Sequence, residues 1–390
     1  MSGKAKVGIA LDSGGAMGGA HIGVLEVLQE QGIPLDIIVG SSAGAAVGAF
    51  YASGTLGAFR ELISGLSFIE ALGFYADPVF PVSGLFSGKR ARRFLHSLLG
   101  DVRIEDLPVT FVAVATDLLT GETVPISSGN LVDAVMASIS MPGIFKPVVL
   151  GDRLLTDGGV SDPLPLDILT EFSPDITIAC NLHSRLPNKL SVRQKRAIVK
   201  AQEKSGQEEE DLSSWIVNQM LSLVRTDRLS SRLKAVGEAL LATGAQATSA
   251  IRDNALFTAL QEQLGQGRDR ISSLLERSFA RRDKTDMLNI FEVMLCATNI
   301  QQYQKNRLML MNIRPDILIE PVLDGVRALE LNKGELTIEE GRIKALQKIP
   351  DLLRLLEEKG VERKGNPGPG QTPAPDAGAF QEGLPRNRAT

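Results

Sequence analysis

Apolar and polar positions change places in blocks along the first 182 residues. Four short runs, Lys6–Leu11 (KVGIAL), Asp36–Gly40 (DIIVG), Val109–Leu118 (VTFVAVATDL) and Asp175–Leu182 (DITIACNL), are apolar on both alternating faces and read as buried strands. Between them, Ala20–Gly32, Ala43–Gly54, Lys89–Leu99 and Asn130–Ser140 place apolar residues at helical spacing, and Leu119–Ile126 reads as a hairpin. Strands separated by helices, with apolar residues on both faces of each strand, predict an α/β fold. The expectation is three layers, α/β/α, around a central and mostly parallel sheet.

The pattern changes after residue 184. A basic opening (Arg185, Lys189, Arg193, Lys195, Arg196, Lys200, Lys204) turns acidic at Glu208–Asp211 and continues as a strand-poor, Leu- and Arg-containing stretch through Met220–Leu241. Residues 185–286 are therefore expected to be a helical insertion, either a solvated peripheral layer or a lid that contacts a membrane. Asp286–Leu310 returns to a strongly apolar helix and Pro315–Val322 to a last strand. This divides the chain into residues 5–184 as the first part of a catalytic core, the insertion at 185–286, and 287–359 as the return to the core with C-terminal helices. The Pro/Gly-rich tail at 360–390 is expected to be disordered.

Composition narrows the function classes. Of the 390 residues, 43% are hydrophobic and 23% charged, ordinary values for a water-soluble globular protein. A formal net charge of −4 argues against a nucleic-acid partner, which would need a basic footprint. No run reaches eighteen uncharged apolar residues and no apolar h-region follows Met1, so a cytoplasmic protein without a spanning helix or signal peptide is expected. Cys180 and Cys296 sit in apolar contexts and read as free thiols. No His/Cys/Asp/Glu spacing suggests a metal site, and no cofactor is implied.

The chemistry centres on Gly40-Ser41-Ser42-Ala43-Gly44, a Gly-x-Ser-x-Gly stretch between a predicted strand and a predicted helix. In that context the serine at the middle, Ser42, is exposed at a sharp turn beside a helix N-terminus; a tight turn without chemistry is the plain alternative. Asp12–His21 (DSGGAMGGAH) follows the first strand and opens a helix, so its backbone N–H groups can converge on an anion. It fits neither dinucleotide nor P-loop spacing. Two residues compete to take a proton from Ser42: His183, which follows Asp157 in hydrolase order, and Asp157 itself in the turn Asp157-Gly158-Gly159.

Asp12–Leu28, Gly40–Gly44, Gly84–Leu95, Ala115–Glu122, Ala137–Pro147 and Asp157–Asp167 occur in an order that resembles the patatin-like phospholipases, lipid acyl hydrolases that work through a Ser–Asp dyad. The resemblance covers roughly residues 5–182 and resumes at 290–321. It implies Ser42 as nucleophile, Asp157 as base with His183 uninvolved, and an oxyanion hole from the loop Gly14, Gly15, Ala16, Met17 and Gly18. Gly40 and Gly44 flank the nucleophile, and Gly158 and Gly159 shape the Asp turn. It also implies a lipid or phospholipid ester as substrate, and the basic opening Arg185–Lys204 suits peripheral contact with a membrane. Where the family loop reads Gly-Gly-Gly-x-Arg/Lys-Gly, this chain has Ser13 at the first glycine and Met17 at the basic position. That departure supports the competing reading, a non-catalytic lipid- or partner-binding module on the same fold.

Overall fold

The structure, a computed structural model, describes residues 5–64, 84, 86–185, 290–326 and 330–362, the side chains of 290–292 excepted. The insertion expected at 185–286 lies outside the described residues apart from Arg185, and so does the tail from residue 363.

Eight strands among the described residues form one sheet. They are β1 Val7–Leu11, β2 Ile37–Ser41, β3 Thr110–Asp117, β4 Thr123–Ile126, β5 Val148–Leu150, β6 Arg153–Asp157, β7 Ile176–Cys180 and β8 Ile317–Ile319. β1 lies between β2 and β7, β2 pairs with β3 and β7 with β8, and all four pairings are parallel. β4, β5 and β6 add antiparallel ladders at the far side of β3 and beyond.

Period-two alternation sorts the strand residues into two apolar faces. Val7, Ile9 and Leu11 of β1, Ile38 of β2, Phe111 and Ala113 of β3 and Ile176 and Ile178 of β7 face one core. It is covered by α1 (Gly19–Glu30), α2 (Ala43–Ala52), α4 (Lys89–Leu99), α5 (Leu131–Ser138) and α8 (Gly334–Lys359), with α3 (Leu56–Ser64) packed alongside. Ala10, Ile37, Val39, Val112 and Val114 face the other core, against α6 (Leu166–Glu171) and the end of α7 (Ile290–Asn312). The fold is a three-layer α/β/α with a mostly parallel sheet. No described helix is long and apolar enough to cross a membrane.

Sequence reading misjudged the character of α7. The helix exposes Val293, Ile300, Leu308 and Met311 while it buries Gln302 and Asn306. Its inward side is polar because it covers the carboxyl ends of the strands, where backbone groups and carboxylates need partners.

One feature of the register decides where chemistry can occur. Ala113 and Val114 of β3 carry β2 on one edge and β4 on the other, whereas Ala115 and Thr116 carry β6 and β4. A strand residue has two edges, so β2 and β6 share the edge opposite β4 and meet end to end. Ser41 pairs with Val114 and Asp157 with Ala115, on consecutive rungs. The last residues of two strands running toward each other thus arrive about 3.3 Å apart along β3.

Candidate active site

At the end of β2 the chain turns within one residue. Ser42 has φ 52° and ψ −114°, and α2 begins at Ala43. A left-handed backbone at a non-glycine residue stores about 1–3 kcal/mol and persists where its surroundings hold it. Here Ser42 N–H donates to Ser138 Oγ at 2.8 Å, and Ser138 Oγ–H donates to the Val114 carbonyl at 2.6 Å. The elbow is thereby tied to the end of α5 and to β3. Gly40 and Gly44 are dictated by close approach: a Cβ on Gly40 would meet the Gly44 carbonyl at 2.5 Å, and one on Gly44 the Leu11 carbonyl at 2.2 Å.

Asp157 ends β6 on the neighbouring rung. Ser42 Oγ donates to Asp157 Oδ2 at 2.6 Å, and Gly159 N–H donates to Oδ1 at 2.8 Å, so both carboxylate oxygens have a donor. The backbone of Asp157 is fixed as well: its N–H donates to the Ser140 carbonyl at 3.0 Å and its own carbonyl accepts from Thr116 Oγ1 at 2.8 Å. Ser42 and Asp157 are buried, 5% and 3% exposed. Burial pushes the Asp157 carboxyl up to about 6, against the opposing pull of the Ser42 and Gly159 hydrogen bonds. Gly158 has no room for a side chain, since a Cβ would lie 2.1 Å from the Val114 carbonyl, and one on Gly159 would lie 2.4 Å from Gln302 Nε2.

The glycine loop leaves β1 at the same end of the sheet. Gly14 and Gly15 have φ 150° and 55°, a 3-10 turn covers Gly15–Gly18, and α1 follows. Gly14 and Gly15 line one cleft with Ser42, Asp157, Met141 and Leu295, and the space there is about 20 Å³, room for about one water. Ala16 and Gly18 are buried behind this arc, and a Cβ on Gly18 would sit 2.6 Å from that of Ala43. Met17 corrects one expectation. Its N–H, counted among the donors of the loop, donates to the Gly14 carbonyl at 3.1 Å, and its side chain is buried in the core. It closes the turn and is not directed at an anion.

Behind the loop, Asp12 Oδ2 accepts from Leu182 N–H (2.8 Å), His183 N–H (3.1 Å) and Asn306 Nδ2 (2.8 Å), and lies 2.9 Å from His183 Nδ1. His183 is therefore engaged with Asp12, while Ser42 reaches Asp157 with nothing between them. His21 Nε2 lies 2.7 Å from the Asp12 carbonyl, and burial lowers its pKa to about 4. His96 is exposed on α4. Among the described residues, no group of three or more His, Cys, Asp or Glu could hold a metal ion. Asp117 and Gly121 close the turn between β3 and β4, with Gly121 N–H donating to the Asp117 carbonyl at 2.8 Å.

Sequence reasoning did not single out Ser138, Gln302, Lys305 or Asn306. Ser138 lies within Ala137–Pro147, one of the stretches that carry the resemblance; for the three α7 residues no local signal exists, because their partners lie more than a hundred residues away.

The description "Patatin-like phospholipase" belongs to the family model that matches residues 9–170. Over residues 9–170 the chain is similar to the patatin-like phospholipases. Ser42, Asp157 and the glycine loop all lie within the matched span, while Asn181, His183 and the whole of α7 lie outside it. An uncharacterized NTE family protein of Mycobacterium bovis is 40% identical over 178 residues, 46% of this chain and 49% of the relative. The neuropathy target esterase sws of Drosophila melanogaster is 32% identical over 188 residues, 46% of this chain and 13% of the fly protein. Patatin-like phospholipase domain-containing protein 6 of Mus musculus is 33% identical over 192 residues, 47% of this chain and 14% of the mouse protein. The chain spans about half the length of the mycobacterial relative.

Proposed function

We propose that this chain is a serine acyl-ester hydrolase that cleaves fatty-acyl esters of phospholipids or other lipids through an acyl-Ser42 intermediate. The observation that carries the reading is the 2.6 Å hydrogen bond from Ser42 Oγ to a buried Asp157 carboxylate, made by a serine held at φ 52°. The Asp157 carboxylate takes the Ser42 hydroxyl proton as Oγ attacks the ester carbonyl. The carbonyl becomes an oxyanion facing the N-terminus of α2, where the Ala43 N–H has no intrahelical acceptor, and facing the Gly14–Gly15 arc. Collapse of this intermediate breaks the ester C–O bond, and Asp157 returns the proton to the leaving alcohol. Water then gives a proton to Asp157 and attacks the acyl carbonyl; as the acyl–Oγ bond breaks, Asp157 passes that proton to Ser42 Oγ, which releases the fatty acid and restores both residues.

The lipid class rests on the description of the matching family, on the esterase named among the relatives, and on the apolar side chains Met141, Pro142, Val160 and Leu295 around the serine. The test is fatty-acid release from phospholipid vesicles, and alcohol release from a soluble short-chain ester, by the full chain and by Ser42→Ala. Turnover by wild type and its loss in Ser42→Ala are expected. A folded wild type that cleaves neither substrate would replace this reading with the binding module.

A further inference from the structure

The turn that carries Asp157 is held by a helix more than a hundred residues farther along the chain. Three successive carbonyls following Asp157 each accept a hydrogen bond from α7: Gly159 from Gln302 Nε2 at 3.4 Å, Val160 from Gln301 Nε2 at 3.3 Å, and Ser161 from Lys305 Nζ at 2.6 Å. One residue farther along, Asn306 Nδ2 donates to Asp12 Oδ2 at 2.8 Å and to Asn181 Oδ1 at 3.0 Å. Asp12 is fully buried and stands directly before the glycine loop, where its other acceptor contacts fix the chain of Leu182 and His183.

Gln302, Lys305 and Asn306 lie three and four positions apart, so they share one side of the helix. This is the side that buries Gln302 and Asn306, and Gln302 also lines the cleft over Ser42. Polar side chains aimed inward at three consecutive carbonyls exceed what covering an apolar surface requires. The two glycines of the turn carry no side chains, so the turn is held through backbone groups: Ser140 and Thr116 fix Asp157 itself, and α7 fixes the carbonyls beyond it.

We propose that α7 is the positioning element of the reaction centre: Gln301, Gln302 and Lys305 set the place of the Asp157 turn, Asn306 sets Asp12 beneath the glycine loop, and one helix thereby registers both against Ser42. The inference rests on the reading of Ser42 and Asp157 given above. Lys305 holds the shortest of the three contacts and the only charge among them, so it carries most of the effect. A turn displaced by about 1 Å places the carboxylate out of reach of Ser42 Oγ, a change that lowers turnover about a hundredfold without removing a reacting group.

The experiment compares full-length wild type, Lys305→Met, Lys305→Arg and Gln301→Ala by amide hydrogen exchange over residues 156–163 and by kcat and KM on a soluble short-chain ester. Lys305→Met is expected to raise exchange at 158–162 about tenfold or more and to lower kcat ten- to hundredfold, with KM within about twofold. Lys305→Arg should restore both to within about threefold of wild type. Gln301 is exposed, so Gln301→Ala tests the same claim where Lys305→Met does not fold, with a smaller change of the same sign. Unchanged exchange over 156–163 in the folded variants overturns the proposal, as does a change in KM alone. If wild type cleaves no ester, the hydrolase reading fails, and the exchange measurement still decides whether α7 holds the turn.

Discussion

Between pH 5 and pH 7 the rate at which Ser42 is acylated should rise about tenfold and then level. Burial lifts the Asp157 carboxyl from 3.8 to about 6, against the hydrogen bonds from Ser42 and Gly159. A carboxylate acting as base must be ionised; with that value it is ionised in about one molecule in eleven at pH 5 and about ten in eleven at pH 7. The linked stability runs the other way. The folded chain keeps this proton up to about pH 6 while the unfolded chain loses it near 3.8, so over that window the contribution of Asp157 to stability falls as pH rises. At 1.36 kcal/mol for each of about two units, the bound is about 3 kcal/mol. Protonating Asp157 therefore costs rate without unfolding the chain, and the two can be separated. The assay is the rate of Ser42 phosphonylation by a fluorophosphonate from pH 4.5 to pH 8.5, with Tm followed in the same buffers. Asp157→Asn should lose the limb and slow the reaction by about 10²–10⁴. His183→Asn, which keeps a donor for Asp12, should retain the limb. A limb that survives in Asp157→Asn and disappears in His183→Asn would refute the assignment of the base, and so would a flat profile.

Ser138→Ala removes the acceptor of the Ser42 N–H and the donor to the Val114 carbonyl; it should cost about 1–3 kcal/mol in urea melts and lower kcat more than it raises KM. Gly44→Ala places a Cβ 2.2 Å from the backbone carbonyl of Leu11, which has no way to yield, so loss of soluble folded protein, read by near-UV circular dichroism, is expected. Asp162 is buried with one carboxylate oxygen unpartnered, and burial, aided by neighbouring Asp167, raises its pKa from 3.8 to about 8. Its folded-state pKa lies above the unfolded value, so its contribution falls from about pH 4 to pH 8; Asp162→Asn should raise Tm more at pH 8 than at pH 5.

The sheet and its helices were legible because buried strands such as Val7–Leu11 and Ile37–Ser41 are short apolar runs and the helices between them keep helical spacing. The hairpin of β5 and β6 was not, because Val148–Leu150 is three residues long and Val149 is 71% exposed, which leaves no alternation to read. That hairpin is what turns Asp157 back toward Ser42, so the meeting of β2 and β6 on one edge of β3 is a fact of pairing and not of local pattern. Ser42 and Asp157 were singled out through motif and resemblance, and in the structure they lie within hydrogen-bond distance. Met17 was misread because a sequence shows which residues own an N–H but not where each donates; here it closes the turn on Gly14. Lys305 and Gln302 were not singled out, since nothing near them in the chain announces the carbonyls of Gly159 and Ser161.

The most direct measurement is peptide mapping by mass spectrometry after incubating the full-length chain with a fluorophosphonate at pH 7.5. One adduct per molecule is predicted, on the peptide containing Ser42, with none on Ser41 and none anywhere in Ser42→Ala. An unmodified, folded wild type, or an adduct that persists elsewhere when Ser42 is replaced, would contradict the assignment of Ser42 as the nucleophile.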